Sequence, residues 1–118
     1  MLFRSLIASN AVSKGNVLEI ARIASIMGAK KTPELIPLCH PIAISGMDVR
    51  LELVADGIEI SAEVRTTDRT GVEMEAFTAV AVAGLTIIDM IKAADAYATI
   101  TDIRLIEKTG GKNGHWTR

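Results

Sequence analysis

The stretch from Thr70 to about Ala94 constrains the fold more than any other part of the chain. Thr70-Gly71-Val72-Glu73 reads as a capping box that opens a helix. Behind it, Phe77, Val80, Ala83, Gly84, Ile87 and Ile91 recur at helical spacing and suit the face of a sheet. The opposite side is also largely apolar, with Val82, Leu85 and Ile88, and only Glu73, Glu75, Asp89 and Lys92 bring charge. A helix apolar nearly all round must be buried nearly all round. A chain of 118 residues makes one domain with one modest core, so an oligomer is expected to cover what the chain cannot.

The remaining elements follow from the same patterning. Asn16-Val17-Leu18-Glu19 is a second capping box, followed by Val17, Ile20, Ala21, Ala24 and Met27 at helical spacing. Thr32-Pro33-Glu34 ends that helix or restarts a short one. All three prolines lie between positions 33 and 41, which predicts a stiff connection over 35–41. Met47, Val49, Leu51 and Leu53 then alternate with Asp48, Arg50 and Glu52. Asp56-Gly57 reads as a hairpin turn, and Ile58, Ile60, Ala62 and Val64 continue the alternation. A last strand is expected near 99–106, before a glycine-rich tail. The resulting order of helix, strand, strand, helix, strand is a ferredoxin-like α+β plan lacking its first strand, with an antiparallel sheet carrying its helices on one face. Either a further strand lies upstream or a neighbouring subunit covers the exposed edge.

Composition removes several classes of function. Thirteen basic and fourteen acidic residues give a formal net charge of −1, and aromatics make up 3%. That argues against a nucleic-acid binder, including an RNA-binding sheet, which needs a basic face and stacking aromatics. One cysteine excludes an internal disulfide. Met1 to Ile7 resembles a signal start only faintly, because its apolar run is short and no cleavage site follows. The longest uncharged stretch, 76–88, has thirteen residues, whereas a membrane span needs about 20. A single-domain cytoplasmic protein over 1–118, without membrane or nucleic-acid partners, is the expectation.

Four places could carry chemistry. Asp89 and Lys92 share a helix face, and Glu75 returns to roughly that face about 21 Å away along the axis. As a surface pair they would only steady the helix; within a cleft, burial and a second cation would tune the lysine for proton transfer. In Leu38-Cys39-His40-Pro41, the proline holds His40 extended, either as a ligand contact or as a structural histidine. Adjacent Cys and His lack metal-chelating spacing, and Cys39 reads better as a buried, inert thiol than as a nucleophile. Ser13-Lys14-Gly15-Asn16 sets a lysine before a helix N-terminus, which suits an anion or a merely solvated turn. The tail from Lys108 to Gly114 could wrap phosphate in backbone amides, although it is no Walker A loop.

Taken together these fragments resemble the MoaC family of molybdenum-cofactor biosynthesis. The matching pieces are Lys14-Gly15-Asn16-Val17, Ala21-Arg22-Ile23-Ala24, Leu35-Ile36-Pro37-Leu38-Cys39-His40-Pro41 and Thr70-Gly71-Val72-Glu73-Met74-Glu75-Ala76. They continue through Leu85-Thr86-Ile87, Asp89-Met90, Lys92-Ala93, Gly110-Gly111-Lys112 and Gly114. The resemblance implies a ferredoxin-like fold and a hexamer, a trimer of dimers with sites at subunit interfaces. It implies a lyase-type enzyme that converts 3′,8-cyclo-7,8-dihydro-GTP to cyclic pyranopterin monophosphate with release of pyrophosphate. Substrate binding would fall to Leu38, Cys39, His40, Met74, Glu75 and Lys108, and catalysis to Asp89, Lys14 and Lys92. No bound metal or other cofactor is implied, and Mg2+ is expected only in company with the substrate triphosphate. The three lysines are expected to converge on one anionic substrate, with a subunit boundary between some of them. Family members usually carry an earlier segment that includes the first strand. A rival from another class is a non-catalytic, ligand-sensing module of the same fold, which would bind nucleotide without turnover.

Overall fold

A computed structural model describes residues 2–110 and 114–118. Three helices come first: α1 (Leu2–Ala8), α2 (Val17–Lys30) and the short α3 (Thr32–Leu35). The strands β1 (Gly46–Val54) and β2 (Gly57–Arg65) follow, then α4 (Glu73–Ile91) and the two-residue strands β3 (Glu107–Lys108) and β4 (Trp116–Thr117). The architecture is α+β: an antiparallel hairpin packed against α2 and α4.

Each turn and cap has a local cause. α1 ends with Asn10 in the left-handed region at φ 55. There the Asn10 N–H donates to Ile7 and the Ala11 N–H to Leu6, a Schellman closure. The Asn16 side chain accepts from the Glu19 N–H at 3.2 Å and starts α2. The reciprocal half of that capping box does not form; the Glu19 carboxylate instead approaches Arg22 at 3.9 Å. The second expected box does not form either. Val72, not Thr70, is the N-cap of α4, and its apolar side chain cannot cap the helix; the Glu73 carboxylate meets Lys108.

The hairpin pairs apolar with apolar and polar with polar. Met47 faces Val64, Val49 faces Ala62, Leu51 faces Ile60 and Leu53 faces Ile58. The turn sits one residue earlier than expected, on Ala55 and Asp56, with Val54 paired to Gly57. On the outer face Asp48 lies opposite Glu63, an unfavourable like-charge pair that the Arg65 guanidinium bridges by reaching both carboxylates.

The core joins Ile7, Val17, Ala21, Ala83, Ile87, Met90 and Ile91, with Leu51, Leu53, Ile58 and Ile60 of the hairpin packed on it. In α2 the buried residues are Val17 and Ala21, as expected, with Ser25, Gly28 and Ala29 in place of Ile20 and Met27. Small residues let α2 approach α4 closely: a Cβ on Gly28 would stand 2.7 Å from a Val82 methyl. Ile20, Ile23 and Met27 are left 38%, 53% and 54% exposed on the outer side. In α4, Ala83, Gly84, Ile87 and Ile91 are buried as expected, whereas Leu85 is exposed and Phe77, Val80, Val82 and Ile88 are only half-buried. By length and composition α4 could cross a membrane, but here its Ala83, Ile87, Met90 and Ile91 are buried in the core shared with α2 and the hairpin.

The strand expected over 99–106 is not formed. That segment makes no ladder, and Ile100 instead lies against Gly84 of α4. Regular pairing begins only at β3, opposite β4. A strand needs a neighbour, and among the described residues none lies beside β2 except β1.

Candidate active site

One cavity of about 370 Å³ opens where the proline-rich loop, the start of α4 and β3 meet. Leu38, Cys39 and His40 come from the loop, Met74 and Glu75 from the first turn of α4, and Lys108 from β3. These six are the residues expected to bind substrate, and all of them line the same space. Their settings differ. Glu75 is 3% exposed, with no hydrogen bond or ion pair among the described residues. Its carboxylate oxygens are not among the described side-chain atoms closed off from solvent, so they stay open to the cavity and are suited to a ligand N–H. His40 is exposed, and Leu38 is 96% exposed at the rim. Cys39 is half-buried beside the cavity, more open than the buried thiol expected.

Ile42, Arg69, Thr70, Gly71 and Glu73 complete the wall and were not singled out as site residues by sequence reasoning. Glu73 and Gly71 stand in the same short motif as Met74 and Glu75, a local signal that could have marked them. Nothing local reveals the partner of Glu73, which is Lys108 at 3.1 Å. Burial alone would push the Glu73 carboxyl up; its own backbone N–H and the Lys108 ammonium outweigh that and hold it below its ordinary 4.5.

The three residues expected to be catalytic form a second cluster. Asp89, near the C-terminal end of α4, receives Lys92 at 3.0 Å and Lys14 at 3.1 Å on its two carboxylate oxygens. Lys14 also donates to the Asp89 backbone carbonyl. Hydrogen bonds from Lys92 and then Lys14 hold the Asp89 carboxyl below its ordinary 3.8. The Lys14 contact spans 75 residues of sequence. It depends on Gly15, whose φ of +117 turns the chain sharply between Lys14 and the cap of α2. All three side chains are half-exposed or more.

Lys14, Lys92 and Lys108 therefore do not converge within one chain. Asp89 lies fourteen residues along α4 from Glu75, about 21 Å along the axis. Of the glycine-rich tail, Gly110 and Gly114 have positive φ, while Gly111, Lys112 and Asn113 lie outside the described residues. No group of three or more metal-binding side chains occurs among the described residues.

Residues 2–111 match the model of the MoaC family. A cyclic pyranopterin monophosphate synthase of Streptomyces coelicolor is 61% identical over 96% of this chain and 66% of its own length. A namesake from a Nocardioides species is 58% identical over 96% of this chain and 71% of its own. Cyclic pyranopterin monophosphate synthase 2 of Mycobacterium tuberculosis is 56% identical over 97% and 68%. The chain thus spans about two thirds of the length of these relatives.

Proposed function

The chain belongs to the MoaC family, and on that footing we propose that it converts 3′,8-cyclo-7,8-dihydro-GTP to cyclic pyranopterin monophosphate, a lyase-type step of molybdenum-cofactor biosynthesis. The observation that carries this reading is the convergence of Leu38, Cys39, His40, Met74, Glu75 and Lys108, from three separated segments, on one cavity.

The reaction opens the guanine-derived ring, recloses it as a pyranopterin and forms a cyclic phosphate with loss of pyrophosphate. Each group has work suited to its setting. The buried Glu75 carboxylate accepts hydrogen bonds from the N–H edge of the guanine-derived base. His40 and Lys108 face the phosphates, and Met74 and Leu38 cover the apolar faces of the ligand. Asp89, Lys14 and Lys92 supply the acid–base set that proton transfers at several atoms require. Because the two clusters lie at opposite ends of α4, the complete site in this reading takes its binding wall from one chain and its Asp89 cluster from another. The assembly is then a hexamer built as a trimer of dimers. Its contacts draw on the exposed Ile20, Ile23, Met27 and Leu85. No cofactor is resident in the protein, Mg2+ arrives with the substrate triphosphate, and the enzyme works in the cytoplasm.

Incubation with the cyclised nucleotide tests the proposal. Appearance of the pyranopterin product with stoichiometric pyrophosphate is the expected result. Binding without either product would make the chain a ligand-sensing relative instead.

A further inference from the structure

The cavity wall contains an ion pair to which neither the family match nor the reading above gives a role. The Glu73 carboxylate and the Lys108 ammonium stand 3.1 Å apart, each about one-third exposed. Oε2 of Glu73 is closed off from solvent and accepts no well-aligned hydrogen bond; the Lys108 ammonium at 3.1 Å is its charged neighbour. Gly71 sits against both. A Cβ there would lie 2.9 Å from Cε and 3.0 Å from Nζ of Lys108, and would collide with the Glu73 carboxylate. Gly71 is not among the residues with positive φ, so backbone conformation does not call for glycine at this position. Space does. Arg69, which lines the same cavity, makes no ion pair among the described residues.

We propose that Glu73 is a positioning residue that holds the Lys108 ammonium at a fixed place in the cavity wall to meet the anionic part of the substrate, and that Gly71 supplies the room the pair needs. This rests on the assignment of substrate to this cavity made above. Lysine is a point charge on a flexible stem. Left alone, Lys108 would spend much of its time in solvent; held by a half-buried carboxylate, it is already in place when a polyphosphate arrives. The carboxylate is itself held in the charged form by its backbone N–H and by the lysine, so the pair persists at neutral pH.

Two substitutions separate positioning from bulk. Glu73→Gln keeps the size and removes the charge; Gly71→Ala keeps both charges and takes the room. Each should raise KM for the cyclised nucleotide about tenfold, the scale of one lost charged hydrogen bond, with kcat changed by no more than about twofold. Combined with Lys108→Ala, neither should add to the loss that Lys108→Ala causes alone, because a positioning residue has nothing left to position. Acetic anhydride labelling, read by mass spectrometry, gives a measure independent of turnover. Lys108 should acylate several-fold faster in Glu73→Gln than in the wild type, with Lys31 as an unchanged reference. Losses that multiply in the double variants, a fall in kcat at constant KM, or unchanged Lys108 labelling would each overturn the proposal. A wild-type chain that labels as expected but turns nothing over would instead sink the enzymatic reading and leave the pair standing. Should Glu73→Gln fail to fold by circular dichroism, Gly71→Ala decides the matter.

Discussion

The Asp89 carboxylate binds two ammonium groups at once, one from its own helix and one from the loop before α2. Exposed ion pairs contribute little to stability, so a purely structural role would make Asp89 dispensable. Asp89→Asn is nearly isosteric and removes the charge. We expect it to abolish turnover while thermal unfolding at neutral pH stays close to the wild type; a fully active variant would return the trio to a helix-surface role. The pH dependence has a definite sign. The Asp89 carboxyl is depressed in the folded state, so the unfolded state binds more protons in the acid range. The associated stability is present above the ordinary 3.8 and is lost as pH falls through the lower folded value. Between those two values the melting temperature should therefore fall slightly less steeply with pH for Asp89→Asn than for the wild type, by a small margin because the pair is exposed. His40 makes a different case. Its ring is exposed on a loop braced by Pro37 and Pro41, so His40→Ala should fold normally and weaken binding of the cyclised nucleotide about tenfold. Calorimetric titration showing unchanged affinity would remove His40 from the site.

α2 and α4 meet through small residues, and this packing is sensitive to single atoms. Gly28→Ala would put a Cβ 2.7 Å and 2.9 Å from two Val82 carbons. Overpacking of this kind costs about 1–3 kcal/mol, visible as a lower urea midpoint. Val82→Ala in the same chain should recover part of that loss; no recovery would place the strain elsewhere. The same contact explains what could be read from the sequence and what could not. The hairpin was legible because alternation from Met47 to Val64 dictates both its face and its pairing, with the turn displaced by one residue. On α2 the pattern identifies Val17 and Ala21 as core but also points Ile20 and Met27 inward, because large apolar side chains normally face the core. Here Val17, Ala21, Ser25, Gly28 and Ala29 are buried, the close approach to α4 at Gly28 favours small side chains, and Ile20 and Met27 are left outside. The absent strand over 99–106 failed for another reason. Its apolar residues fit a sheet, but strand formation depends on a neighbour that no local pattern can supply. Leu38 to His40 and Met74-Glu75 stood out as short motifs, while the Lys14–Asp89 and Glu73–Lys108 contacts, between segments far apart in sequence, depend on how the elements pack.

At the scale of the molecule, the binding cavity and the Asp89 cluster lie at opposite ends of one helix, while Ile23, Met27 and Leu85 are more than half exposed. Both observations favour assembly, and sedimentation at micromolar concentration should give a hexamer; a stable monomer would defeat the shared site. The boundary between chains then has a definite location. Lys14 and Asp89 touch within one chain, so they belong to the same half-site. Mixing Lys14→Ala with Asp89→Asn subunits should restore nothing, since each chain then spoils the same half. In that arrangement His40 and Asp89 would belong to opposite halves. Chains carrying His40→Ala retain an intact Asp89 cluster, and chains carrying Asp89→Asn retain an intact cavity. In a randomly mixed oligomer, roughly a quarter of the sites should combine the two intact halves. Measured at substrate well below KM, where the roughly tenfold binding loss of His40→Ala cuts its activity to about a tenth, the mixture should rise toward about a quarter of the wild-type value, above either parent. Subunit exchange must be verified first, by mass spectrometry of differently tagged chains. Demonstrably mixed oligomers no more active than their parents would mean that His40 and Asp89 serve one site within one chain, against the 21 Å or so that α4 sets between the two ends.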